Sequence, residues 1–208
     1  MICPLCKNTN IHQREDVAQF LNCSHCGTVF KNPYHFLDLE QEKERYLLHE
    51  NNVEDPNYQQ FVAPIVTAVT QSFPPSSLGL DFGAGTGPVI SKLLGDKGYI
   101  MKLWDPFFHP DASVLHETYD FIVCCEVIEH FHRPQKEFRL MHKLLRPKGM
   151  LFCMSETLPE DSEFSSWYYK NDPTHVVFYS EKNLKWIQEQ LNFKNLEING
   201  KLIVLTKG

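Results

Sequence analysis

Four cysteines open the chain in two pairs, Cys3-Pro4-Leu5-Cys6 and Cys23-Ser24-His25-Cys26, with residues 7–22 between them. Two thiolates three positions apart on a tight turn can face one tetrahedral ion, and a second pair completes the all-sulfur shell that suits Zn2+. The spacing predicts a structural zinc on Cys3, Cys6, Cys23 and Cys26, because a closed shell leaves no position open for a substrate. Gly27 then helps the backbone turn back beneath the metal. Disulfides or a redox pair are the other chemistry open to these residues. Cys3 stands too close to the start for a charged and then apolar leader to precede it, so a reducing cytoplasm is the expected compartment. Cys124, Cys125 and Cys153 fall in apolar runs and read as small core residues.

A second group lies in Leu80-Asp81-Phe82-Gly83-Ala84-Gly85-Thr86-Gly87-Pro88. Glycines at alternate positions let a backbone approach a ligand closely. Asp105 ends the next apolar run, where a carboxylate can accept both hydroxyls of a ribose. A dinucleotide fingerprint needs glycine at position 88, where Pro88 stands. Asp81 would also repel a pyrophosphate and attract an ammonium group.

The third group is Glu126, Glu129 and His130, joined later in the chain by His175 within Asp172-Pro173-Thr174-His175. If a helix starts at Glu126, the first three fall at i, i+3 and i+4 on one face, and His175 is expected on the same rim. Either histidine could remove a proton from an acceptor with Glu129 beside it. Two carboxylates and two histidines on one rim could also hold a divalent ion. The plainer alternative has Glu126 bordering a cofactor, Glu129 capping a helix and His130 packing at the sheet edge.

The elements that must position these groups can be read from periodicity. Short apolar runs at Leu78–Phe82, Ile100–Trp104, Phe121–Cys125 and Met150–Met154 read as strands. They alternate with amphipathic helices over Pro88–Leu94, Pro134–Leu145 and Glu181–Leu191, which predicts an α/β parallel sheet. Asn199-Gly200 between Leu196–Ile198 and Leu202–Leu205 predicts a closing hairpin whose turn holds both residues at positive φ. Upstream, Asp38 and Gln41 fit a capping box, Pro56 suits a helix start, and Pro64 is expected to interrupt or kink the helix that follows. The chain thus divides into a zinc ribbon (residues 1–33), a helical linker or cap (34–77) and an α/β domain (78–208). Its 208 residues are 42% apolar and 22% charged, an ordinary globular mixture. The longest apolar run, Phe121–Cys125, is far too short for the ~20 residues that span a bilayer. A net charge of −6 counts against nonspecific nucleic-acid binding.

Residues 81–87 resemble the D-x-G-x-G-x-G first motif of class I S-adenosylmethionine-dependent methyltransferases. Tyr119 to Phe131, with Glu126-Val127-Ile128-Glu129-His130, is similar to that family's fourth-strand segment, and Leu144 to Gly149 to the turn before its fifth strand. The resemblance covers about residues 78–208 and implies a Rossmann-like seven-stranded sheet ordered 3-2-1-4-5-7-6, the last strand antiparallel. It implies that Asp81, Gly83, Gly85 and Gly87 cradle the aminoacyl part of S-adenosylmethionine and that Asp105 binds the ribose. Phe82, Ala84, Pro106 and Glu126 are expected to border the same ligand. Residues 106–118 leave little room for the family's second helix and third strand, so Val114 or Leu115 is expected as an edge-strand remnant against the adenine.

The segment Arg45 to Asn52 sits where the family places a cap over the cofactor, with Tyr46, His49 and Asn51 as its contacts. Trp167, Tyr168 and Tyr169 are expected either to line an acceptor pocket or to pack in the core. The whole chain resembles uncharacterised bacterial zinc-ribbon methyltransferases. The expected reaction is methyl transfer to a small molecule. The alternatives are an RNA acceptor with a divalent ion at Glu126, Glu129, His130 and His175, as in RNA 3′-terminal 2′-O-methyltransferases, and a non-catalytic cofactor-binding or docking protein.

Overall fold

A computed structural model describes residues 1–48 and 51–208; the cap role expected of His49 lies outside the described residues. The chain starts with three short antiparallel strands, β1 (Ile11–Gln13), β2 (Phe20–Cys23) and β3 (Val29–Lys31). Helix α1 (Leu39–Leu47) begins at the capping box of Asp38 and Gln41. Helix α2 (Pro56–Ser72) runs unbroken through Pro64. Pro64 and Gln60, whose carbonyl loses its helical partner, both face solvent, and water can serve that carbonyl where a buried one would break the helix.

The central sheet comprises β4 (Leu78–Phe82), β5 (Ile100–Trp104), β6 (Tyr119–Cys125), β7 (Leu145–Met154), β9 (Phe193–Asn199) and β10 (Leu202–Lys207). Between them lie α3 (Val89–Gly95), α4 (Pro134–Leu144), the two-residue β8 (Val177–Phe178) and α5 (Glu181–Gln190). Strand order is β5-β4-β6-β7-β10-β9, and β10 alone runs against its neighbours. Among the described residues the sheet therefore has six strands, not seven. The family's third strand is missing, because residues 106–118 form loops and a short 3-10 turn, Ala112–His116. Val114 is no edge strand: it is buried in that turn, and its carbonyl accepts the Tyr119 hydroxyl at 2.6 Å. The closing hairpin is also shifted by one residue. Asn199 pairs with Leu202, so the loop is Gly200-Lys201 and only Gly200 has positive φ, +58°.

Each face of the sheet buries a helical layer. Val62, Ile65 and Val69 of α2 and Val89 and Leu94 of α3 pack with Phe121, Val123 and Phe152. Phe138 and Met141 of α4 and Leu184 and Ile187 of α5 cover Leu80, Ile122 and Leu151. Each such side chain contributes about 1.5–3 kcal/mol by leaving water. The cysteine module joins the second layer directly: Cys3, Leu5, Leu21 and Phe30 share its core, and β3 pairs with β8 through Val29↔Phe178 and Phe30↔Val177.

Candidate active site

At the C-terminal ends of β4, β5 and β6 lies a cavity of about 1000 Å³. The loop after β4 forms one wall. Gly83 and Gly85 have φ of +85° and +61°, and a Cβ on Gly83 would fall 2.5 Å from the Val127 side chain. Gly87 presses against the Asn51 carbonyl, where a Cβ would stand 1.7 Å away. The N–H groups of Gly83 and Ala84 donate to the Trp104 carbonyl, and Gly85 N–H donates to Asp105 at 3.0 Å. Three consecutive donors are thus bound to the end of β5, which leaves this loop poorly suited to cradle a pyrophosphate.

Asp105 is held by its own turn, accepting the N–H groups of Phe107 and Phe108 at 2.8 and 3.0 Å. Phe82, Gly83, Ala84, Gly85, Asp105, Pro106 and Glu126 all reach the cavity wall. Asp81 and Gly87 do not line it. Asp81 is buried beneath the loop and accepts the Ser91 hydroxyl of α3 at 2.8 Å, and burial pushes its carboxyl up to about 6.

The expected helical face after β6 is absent. Glu126 adopts a left-handed φ of 51°, and Ile128–His130 forms a single 3-10 turn. A non-glycine residue in that region is strained, which is common at functional sites. Glu126 Oε1 is buried with no partner among the described residues, while Oε2 accepts the Tyr169 hydroxyl at 3.0 Å. The same hydroxyl also meets Glu129; with one proton to give, it donates to one carboxylate and accepts from the other when that one is protonated, so Tyr169 stands between the two. Burial and mutual repulsion raise Glu126 to about 8, and burial raises Glu129 to about 7.

Glu129, His130 and His175 come together at the cavity, their ligating atoms within 4.8 Å of one another, and Glu126 stands outside that cluster. Burial lowers both imidazoles, His175 to about 3. An imidazole held so low is a poor proton acceptor near neutral pH. Above the cluster, Tyr46 of α1 packs against His130 and Phe107 with ring centres 5.3 and 5.8 Å apart, and Arg45 binds Asp172 at 2.6 Å.

Three features here escaped the sequence. Of the three aromatics expected in an acceptor pocket or in the core, Trp167 packs on Phe164 and Phe178, Tyr168 is exposed, and Tyr169 meets two carboxylates through its hydroxyl. Ser155 donates to Glu129 at 3.0 Å. Lys31, buried in β3, donates to the Pro173 carbonyl at 2.7 Å. None of these contacts has a local signature.

At the far end of β3, Cys3 and Cys26 sulfurs lie 3.7 Å apart and those of Cys6 and Cys23 3.5 Å apart. A tetrahedron of Zn–S bonds of ~2.3 Å has edges of ~3.8 Å, so the cluster nearly matches the geometry of a zinc centre. Burial pushes Cys6 up to about 11, and Cys3 is also raised while Cys26 falls to about 5 as the thiols share hydrogen bonds. Four thiolates ionise together only around a cation.

Residues 55–198, more than half of the chain, match the family model described as a methyltransferase domain. The chain belongs to this methyltransferase family. The methyltransferase domain so matched begins just before α2, so α1 and the cysteine module lie outside it.

Solved structures agree on the fold. An S-adenosylmethionine-dependent methyltransferase from Archaeoglobus fulgidus superposes with a TM-score of 0.57 at 16% identity, covering 78% of this chain and 99% of that one. An O-methyltransferase family protein from Burkholderia thailandensis gives 0.53 at 14% identity, over 71% of this chain and 56% of that chain. This chain therefore spans little more than half of the Burkholderia protein's length. A methyltransferase of calicheamicin biosynthesis, in its S-adenosylhomocysteine-bound form, gives 0.51 at 13% identity over 79% and 60%. A comparison with curated proteins finds no match. No helix among the described residues is long and apolar enough to cross a membrane.

Proposed function

We propose that the chain is an S-adenosylmethionine-dependent methyltransferase acting on a small-molecule acceptor, with a structural zinc in its four-cysteine cluster. The observation that carries this reading is the glycine loop whose N–H groups are tied to Trp104 and Asp105 at the end of β5, set at the switch point between β4 and β6 of a methyltransferase fold. The cofactor, when bound, supplies a methyl group already activated on a sulfonium. Asp105 and the Pro106–Phe107 turn would hold the ribose and adenine, and Glu126 Oε1, without a partner among the described residues, offers an acceptor to the ammonium of the methionine end. Catalysis is then chiefly positioning, with His130 and His175 lining the cavity that would take the acceptor and Glu129 buried behind them.

The acceptor is read as a small molecule because the cavity is acidic. Glu42, Asp105, Glu126 and Asp172 line it against Arg133 and Lys136, a balance that repels a polyanion such as RNA.

Titration calorimetry with S-adenosylhomocysteine should give about micromolar affinity, and Asp105→Ala should weaken it by ~1.5–3 kcal/mol. Tight NAD binding with no response to S-adenosylhomocysteine would overturn the assignment. The enzyme incubated with methyl-labelled cofactor and a cell extract should label a small molecule; label confined to the RNA fraction would sink the acceptor reading.

A further inference from the structure

We propose that Glu129, His130 and His175 form a binding site for one divalent cation at the edge of the cavity. Glu129 Oε1 stands 3.9 Å from His130 Nε2 and 4.0 Å from His175 Nε2. The tautomers follow from what the other ring nitrogens face. His130 Nδ1 lies 3.0 Å from the Thr174 carbonyl and His175 Nδ1 lies 2.7 Å from the Tyr169 carbonyl. A carbonyl only accepts, so each Nδ1 carries the proton and each Nε2 presents an unshared pair. Among the described residues neither Nε2 has a hydrogen-bond partner. The two unshared Nε2 pairs thus converge on Glu129 Oε1, which meets the Tyr169 hydroxyl on its other side, and a cation at the centre would satisfy all three atoms.

The surroundings are those of a ligand set. Both imidazoles are oriented through backbone carbonyls, and Glu129, fully buried, is oriented by the hydroxyls of Ser155 and Tyr169. Such supporting contacts fix the geometry and basicity of metal ligands. Two imidazoles and one carboxylate on one side of an ion leave open positions on the other, a set that suits Mn2+, Fe2+ or Zn2+ better than Ca2+. Glu126 does not belong to it, since the Tyr169 hydroxyl separates it from Glu129.

His130 and His175 line the cavity, so the open positions face the acceptor. An acceptor hydroxyl on the ion would release its proton to solvent. Its oxygen would then form the O–CH3 bond as the S–CH3 bond breaks, the electron pair passing to sulfur to leave a neutral thioether. This step rests on the methyl-transfer reading; the ion site does not.

The test uses Mn2+ and the full-length, zinc-loaded protein, because Mn2+ prefers oxygen and nitrogen ligands and leaves a four-thiolate centre to zinc. Titration followed by the paramagnetic resonance of free Mn2+ should give one bound ion per chain, and His175→Ala should weaken it at least ~10-fold. In the native protein, bound Mn2+ should broaden the imidazole signals of His130 and His175 before those of His12, His25 and His35. This measurement decides the question if the His175 variant fails to fold. Absence of bound Mn2+, or broadening that spares His130 and His175, would overturn the site. Mn2+ binding in a protein that ignores S-adenosylhomocysteine would uphold the site and overturn the methyl-transfer reading instead.

Discussion

Asp81 was expected to cradle the ligand, yet it sits below the loop, bonded to Ser91 and 4% exposed. Its bond to Ser91 ties the end of β4 to α3, at a cost that depends on pH. The folded carboxyl is pushed up to about 6, whereas an aspartate in the unfolded chain titrates near ~3.9. Between those values the folded state holds a proton that the unfolded chain has lost. Its contribution is therefore full below about pH 4, falls as the pH rises to about 6, and is level above that. Asp81→Asn should remove up to about 3 kcal/mol of this slope. Denaturant titrations of both proteins from pH 4 to 7 check it; parallel curves would show that Asp81 does not titrate in this way.

At the scale of elements, β3 links the cysteine module to the rim. The Lys31 backbone N–H donates to the Val176 carbonyl at 2.8 Å, and its ammonium donates to the Pro173 carbonyl. Val176 N–H in turn donates to the Glu129 carbonyl at 2.9 Å, and the Thr174 carbonyl receives His130 Nδ1. One strand thus holds the turn that carries His175. Burial lowers the Lys31 ammonium to about 8, so this contact is maintained against a desolvation penalty. Lys31→Met leaves the Pro173 carbonyl without its donor, a loss of about 1–3 kcal/mol. Amide exchange at His175 and Val176 should accelerate while S-adenosylhomocysteine affinity changes less than ~2-fold, as the glycine loop is on other strands. Equal acceleration at Gly83–Gly85 would mean that Lys31 supports only global stability.

For the whole molecule, the four-cysteine cluster, β3 and the α5 face share one continuous core. Removing the metal should therefore reach the rim. Elemental analysis should find one zinc equivalent per chain, and Cys23→Ala or a strong chelator should abolish it. Amide protection at Val29 and Phe30, which pair with β8, should be lost with it. Less than about a tenth of an equivalent in protein purified without chelator would remove zinc from the account. The cavity is composite in the same way: Tyr46 comes from α1, Asp105 from the turn after β5, Glu126 from the end of β6, and His175 from the segment before β8.

What the sequence determined by itself were features written in local spacing. The paired knuckles, the glycine loop with acids at 81 and 105, the capping box of α1 and the alternation of strands and helices each depend on neighbours a few residues apart, where backbone geometry follows residue type. Even there, long-range pairing moved the hairpin turn onto Gly200-Lys201, because the register of β10 against β7 and β9 is set by burial across the sheet. Tertiary structure alone decided that Tyr169 separates two carboxylates, that Lys31 holds the His175 turn, and that three of the four expected rim residues converge while Glu126 turns away. The bonds of Tyr169 to the two carboxylates and of Lys31 to Pro173 join residues from 40 to 142 positions apart in the chain, and they exist only once strand order has placed the ends of the strands side by side.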